Sequence, residues 1–432
     1  MKRSIHNHSI ANVAQFKQQM LYWAQGQQTL LWLDSNDHSD AHSTFDALLA
    51  VGVSSSLCCK QSTQGFEQLD AYRNKAQDWI FGQFSYDLKN DLEALHSLNE
   101  DFMQFPELYF FQPKKIFILR GKMLTQLYLP DIQEQAKTDF KAIKNQVILP
   151  KNGSNKLKVE ARFTKSEYLS KVEKMLFHIQ RGDIYEANFC QEFKAHGTLD
   201  ALQTYQHFNE ISQAPFAAYF RQAEKYVLCT SPERYLQKKG DKIISQPIKG
   251  TSRRSSDPKE DLALATALLT DEKERSENIM ITDLVRNDLS RIAQKGSVRV
   301  DELCGIYSFR QVHQLISTIS ATVNPEISLI ELIKKTFPMG SMTGAPKVSA
   351  MQIIEHLENH KRGMYSGALG YFTPDGNFDF NVLIRSILYD SANAKISFSV
   401  GSAITVLSDP EKEYHECLLK AKAMREVLGD FK

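Results

Sequence analysis

Two apolar runs separated by a tight polar turn set the strongest constraint on how this chain folds. "ALGYFT" (368–373) and "FNVLIRSILYD" (380–390) flank "PDGN" (374–377), where Pro, Asp and Gly supply the backbone angles of a hairpin reversal. Strands joined in this way pair antiparallel. Similar strand-like runs are "TLLWLDS" (29–35), "IFILRG" (116–121), "IYEANFCQEF" (184–193), "KYVLCTS" (225–231), "KIISQPI" (242–248) and "KISFSVG" (395–401). "WIFGQFSYDLKNDLE" (79–93) reads as a buried strand running into a polar turn.

Helices fill the gaps. In "TKSEYLSKVEKMLFHIQRGD" (164–183), Thr164 and Glu167 form a capping box, Leu169, Val172, Leu176 and Ile179 keep helical spacing, and Gly182-Asp183 ends the run. Further helices are expected at 258–269, 272–293, 328–336, 346–358 and 410–428. The fold class is therefore α+β with mainly antiparallel strands. "LPKNGSNKLKVEARF" (149–163), rich in Lys, Asn, Gly and Ser, reads as an exposed connection. It divides the chain into an N-terminal lobe, 1–150, and a region carrying the chemistry, 151–432.

Composition excludes several functions. The 52 basic and 51 acidic residues give a net charge of +1, so no general field recruits nucleic acid or an anionic membrane. Cysteines 58, 59, 190, 229, 304 and 417 have neither zinc-type spacing nor a disulfide framework. "MKRSIHNHSIANVAQF" has no apolar core of signal-peptide length, and no apolar run approaches about 18 residues. A cytoplasmic protein with no membrane span is expected.

Four features could carry chemistry. Lys249, in "SQPIKGTSRR" (245–254), is in isolation a solvated loop lysine. Glu274 and Glu277 lie three apart on one helix, and Glu413 and Glu416 repeat the pattern on another, with Lys420 one turn on. Each pair reads either as a solvated helix surface or as one edge of a Mg²⁺ site. "FPMGSMTGAPK" (337–347) places two glycines and a proline at a helix entrance, which suits either an ordinary capped loop or an anion site. It lacks P-loop spacing. Arg385, within an apolar strand, needs a carboxylate partner or a ligand.

These pieces together resemble the chorismate-utilising enzymes: anthranilate, aminodeoxychorismate, isochorismate and salicylate synthases. The resemblance rests on "SPERYL" (231–236), "PIKGTSRR" (247–254), "ERSENIMITDLVRNDLSRI" (274–292), "GSMTGAPK" (340–347), "YSGALGYF" (365–372), "IRSI" (384–387), "VGSAIT" (400–405) and "EYHECLLKAKA" (413–423). It covers the chain from about 160 onward, and "FGQFSYDLK" (81–89) extends it into the first half. The fold it implies is like that of anthranilate synthase component I: two stacked antiparallel sheets flanked by helices, with the active site in the cleft between them.

Within the family, anthranilate-forming members usually read "PIAGT", whereas those resembling aminodeoxychorismate synthase commonly read "PIKGT", as here. The resemblance then implies Mg²⁺-dependent amination of chorismate by ammonia to 4-amino-4-deoxychorismate, on the way to p-aminobenzoate and folate. Lys249 would be the covalent nucleophile, which requires a neutral amine and a depressed pKa. Glu233 would be the general acid/base, with Thr251 lining the pocket. Glu277 and Glu416 would hold the Mg²⁺, supported by Glu274 and Glu413. Arg385, Tyr365, Gly401, Ser341 and Gln314 would contact substrate.

Glu186 stands where water-adding members carry a basic lysine, which argues against water addition. Gln314 occupies the place of a histidine associated with pyruvate loss, and His313 lies one residue early. Ala403 replaces a frequent Gly, which leaves less room. Pro215, Phe216 and Ala217, in "APFAAYF" (214–220), match half of the family's tryptophan pocket; a Leu-Leu-Glu-Ser-like other half is not visible. No GxCxGxQ motif occurs, so a separate glutamine amidotransferase subunit would supply ammonia. The alternatives are anthranilate synthase component I, or a chorismate-binding protein without turnover.

Overall fold

Two long paired strands, Ala47–Cys59 and Leu108–Arg120, organise the architecture. The computed structural model describes residues 2–38, 41–61, 64–150, 156–310 and 312–430. Residues 151–155 of the expected connection lie outside this set. The ladder between the long strands slips at Val53–Ser55, opposite Pro113, which donates no hydrogen bond. An antiparallel layer grows from each side of this irregularity, the two sheets staying joined through the long strands.

The first sheet continues through Thr29–Asp34, Phe216–Gln222, Lys225–Ser231, Ser386–Asp390, Lys395–Ile404 and Glu186–His196. The second runs through Ile80–Phe84, Ala368–Phe372, Phe378–Val382, Arg234–Lys239, Lys242–Gln246 and Val312–Thr322. Strands from residues 1–150 thus pair with later strands in both sheets.

Alternation sorts each strand's side chains between layers. Leu31 and Leu33 join Phe220 and Val227 against Phe81, Leu369 and Tyr371 in a core between the sheets. Leu30, Trp32 and Leu228 face the other way, into a core covered by helices Val13–Ala24, Lys165–Arg181, Ala201–Ser212 and Pro410–Val427. The second sheet's outer face is covered by Gly65–Ala76, Glu272–Ser290 and Leu329–Thr336. Burying each Leu or Phe stabilises this packing by roughly 1.5–3 kcal/mol.

The Thr164–Glu167 capping box forms as expected, and the "PDGN" hairpin joins Ala368–Phe372 to Phe378–Val382. Two expected strands are each broken in two. "KIISQPI" divides at Pro247 into Lys242–Gln246 and Ile248–Arg253. "FNVLIRSILYD" divides because its chain leaves the second sheet after Val382 and enters the first at Ser386. Arg385 sits in that break with φ of 49°, so it lies outside a regular strand.

The neighbouring segment makes the same passage in reverse. Lys225–Ser231 belongs to the first sheet and Arg234–Lys239 to the second, so Pro232 and Glu233 cross beside Arg385. The crossing backbones bind each other: Thr230 N donates to Arg385 O at 2.9 Å, and Val382 N donates to Glu233 O at 3.0 Å. Strand Val312–Thr322 was not foreseen. It is almost wholly buried, yet its His, Gln, Ser and Thr residues break the apolar pattern.

Gly82 and Gly370 face each other where the second sheet joins the long strands. A Cβ at Gly82 would fall 1.9 Å from Tyr109 O, and one at Gly370 would fall 2.0 Å from Asp379 O. Gly82→Val is expected to cost roughly 2–4 kcal/mol, measurable by denaturant unfolding; an unchanged midpoint would contradict this packing.

Candidate active site

Lys249 lies on a bulge. Ile248 pairs with Ile316 and Thr251 with Gln314, so Lys249–Gly250 inserts one extra residue into the ladder. Gly250 adopts φ +94°, and a Cβ there would crowd Leu315 and the Glu274 carboxylate at 3.1 and 3.2 Å. Asn278 Nδ2, on the helix Glu272–Ser290, donates to Lys249 O at 3.2 Å and to Leu315 O at 3.1 Å. The bulge is thereby tied to the first glutamate helix.

The Lys249 ammonium lies 3.2 Å from Glu186 Oε1, and that carboxylate is 1% exposed. Burial alone would lower the lysine's pKa, but the carboxylates of Glu186, Glu277 and Glu233 more than offset it, and the net direction is upward. The expected depression is corrected: this arrangement holds Lys249 as an ammonium, paired with the Glu186 carboxylate.

Glu233 enters from the sheet crossing and is buried, with Ser341 Oγ donating to its Oε1 at 2.6 Å. Burial pushes its pKa up to about 7, against the opposing effects of Ser341 and Lys249. A carboxyl of this kind can give or take a proton near neutrality.

Glu274 and Glu277 from one glutamate helix and Glu413 and Glu416 from the other line the same cavity, of about 530 Å³. Burial pushes Glu277 up to about 7 and raises Glu274 and Glu413, whereas the adjacent Lys420 holds Glu416 down. Among the described residues Glu277 Oε1 is buried without a hydrogen-bond partner, Lys273 Nζ lying 3.7 Å away. Hard carboxylate oxygens from two helices, one of them unsatisfied, fit an oxygen-preferring divalent cation such as Mg²⁺.

Lys249, Glu233, Thr251, Ser341, Tyr365, Gly401, Gln314 and Arg385 line the same cavity. Arg385 donates to Lys420 O at 3.4 Å, and among the described residues no carboxylate forms an ion pair with it. The Glu416 carboxylate acts on it only from a longer range. Gln314 lines the cavity, but His313 points to the opposite face of the strand. There it binds Ser308 Oγ at 2.8 Å and Asp261 Oδ1 at 3.0 Å. His313 therefore does not take over the position that Gln314 fills.

Comparison with known proteins agrees with this geometry. Residues 15–426 match the model of the chorismate binding enzyme family. The chain belongs to that family. It is 40% identical over 280 residues to "Probable aminodeoxychorismate synthase, chloroplastic" of Oryza sativa subsp. japonica, covering 64% of this chain and 31% of the relative. It is 30% identical over 367 residues to "Aminodeoxychorismate synthase component 1" of Bacillus subtilis (strain 168), covering 82% and 77%. The match thus spans about a third of the longer curated relatives. The solved anthranilate synthase component I from Streptococcus pneumoniae TIGR4 superposes with a TM-score of 0.77 at 24% identity, covering 90% of this chain and 94% of that one. The fold is the anthranilate synthase component I fold.

In this chorismate binding enzyme, Pro215, Phe216 and Ala217 line a second cavity of about 150 Å³. Its other side includes Leu33, Asp34 and Ser35. Sequence reasoning missed Lys273, Asn188 and Asn278. Lys273 carries a usable signal, since it stands four residues before Glu277 on the same helix.

The raised Glu233 pKa predicts a stability effect. Its contribution is complete below the ordinary value of 4.5 and is lost as pH rises through about 7. Thermal unfolding of Glu233→Gln should match wild type near about pH 5 and exceed it near about pH 8. An equal difference at both pH values would contradict the buried carboxylate.

Proposed function

We propose that this chain is the synthase component of an aminodeoxychorismate synthase, converting chorismate and ammonia to 4-amino-4-deoxychorismate. The observation that carries the reading is Lys249 on its bulge, facing the substrate-sized cavity and paired with Glu186. An alanine there would offer no nucleophile.

Lys249 first passes a proton to Glu186. The free amine adds at C2 of chorismate, the ring double bonds shift, and the C4–O bond breaks. Glu233, protonated, donates to the departing hydroxyl, which leaves as water. Ammonia then adds at C4, the double bonds shift back, and the C2–N bond to Lys249 breaks. Glu233 takes the surplus proton from the new ammonium group, and Glu186 returns its proton to Lys249. Two displacements give net retention at C4.

Arg385 is suited to one carboxylate of the dianionic substrate, with Tyr365, Gly401 and the Ser341 loop around it. Gln314 offers no proton-accepting imidazole, which favours retention of the enolpyruvyl group. Glu277 and Glu416 would hold Mg²⁺, with Glu274 and Glu413 beside them. The bound ion would neutralise the ring carboxylate and draw electron density from the ring. Ammonia would come from a separate glutamine amidotransferase subunit. Residues 1–150 would act as a lobe of the same synthase unit, and 151–432 as its catalytic region.

Product analysis with chorismate, MgCl₂ and ammonium tests the reading. Aminodeoxychorismate should form, and adding a lyase should release p-aminobenzoate; anthranilate and pyruvate would establish the other reading. Lys249→Ala should reduce amination to background, and Glu233→Gln should lower kcat by on the order of 10²–10⁴-fold. Undiminished amination by Lys249→Ala would eliminate the covalent step.

A further inference from the structure

The carboxylate wall already contains a cation supplied by the chain itself. Lys273 Nζ lies 3.7 Å from Glu277 Oε1 and 3.5 Å from Glu413 Oε1. Among the described residues it alone pairs with a carboxylate on each glutamate helix. Lys420 pairs with Glu416 at 2.5 Å and donates to Gly401 O at 2.9 Å.

Local preference does not explain Lys273. It occupies the first turn of Glu272–Ser290, where a positive charge opposes the helix dipole. The carboxylates offset that cost. They are also the fixed partners: the Glu277 and Glu413 side chains are 11% and 2% exposed, whereas Lys273 is 36% exposed. Its stem reaches in from solvent. Both contacts exceed the ~2.7–2.9 Å of a well-formed charge-assisted hydrogen bond. The ammonium sits between the two helices without being locked to either.

We propose that Lys273 is a resident counter-cation of the metal seat. It neutralises Glu277 and Glu413 while no divalent ion is bound, and it leaves when Mg²⁺ arrives, thereby setting the affinity for Mg²⁺. This rests on the magnesium reading of the wall given above. It differs in sign from a supporting role: a lysine that aligned the glutamates for metal would strengthen binding, whereas a displaced counter-cation weakens it.

The test is calorimetric titration of MgCl₂ into the full chain, paired with thermal unfolding in EDTA and across a MgCl₂ series. Lys273→Met should bind Mg²⁺ roughly 5–20-fold more tightly than wild type. It should also unfold at lower temperature in EDTA, with a larger upward shift on adding MgCl₂. Lys273→Arg, which keeps the charge, should stay near wild type, and Lys273→Gln provides a second neutral variant should the Met form fold poorly. Equal or weaker Mg²⁺ binding by the neutral variants overturns the counter-cation role while leaving the magnesium reading intact. A wild-type chain with no response to MgCl₂ overturns both.

Discussion

Two antiparallel segments cross side by side from one sheet to the other, and the site depends on that crossing. A chain leaving a sheet gives up its ladder partners, and buried backbone groups must find others. Here the segments satisfy each other, through Thr230 to Arg385 and Val382 to Glu233. The passage is held rigidly, and the residues freed from the ladders project into the cleft. Glu233 and Arg385 are both placed in this way, one acidic and one basic, beside the same cavity.

Around that crossing, buried charge is balanced locally. Four glutamates of two helices line one cavity wall, and burial drives three of their four pKa values upward. Lysines stand against them at short range, Lys420 against Glu416 and Lys273 between Glu277 and Glu413, while Lys249 stands against Glu186 of a sheet strand. Such an arrangement costs desolvation free energy and is held by the packing of the outer helices on the sheets.

Local features were readable because they depend on near neighbours. The Thr164–Glu167 cap, the "PDGN" reversal and the helix carrying Glu274 and Glu277 needed only residues a few positions apart. The unbroken run "FNVLIRSILYD" misled because hydrophobicity reports burial and not which sheet does the burying. Its two halves are buried in different sheets. Val312–Thr322 was overlooked for the converse reason: buried polar side chains look like surface in a linear pattern.

The sequence by itself determined the α+β class, the helix ends, the family, and the residue types that chemistry on a dianion would need. It also supplied Lys249 followed by a glycine able to accept a left-handed backbone. Tertiary structure alone decided that the two glutamate helices line one cavity and that, among the described residues, no carboxylate forms an ion pair with Arg385. It decided too that His313 turns away from the cavity, and that Lys249 is held as a cation by Glu186, 63 positions earlier in the chain. The physical reason is that charge interactions act through space over a few ångströms. Only folding brings residues so distant in sequence within that range.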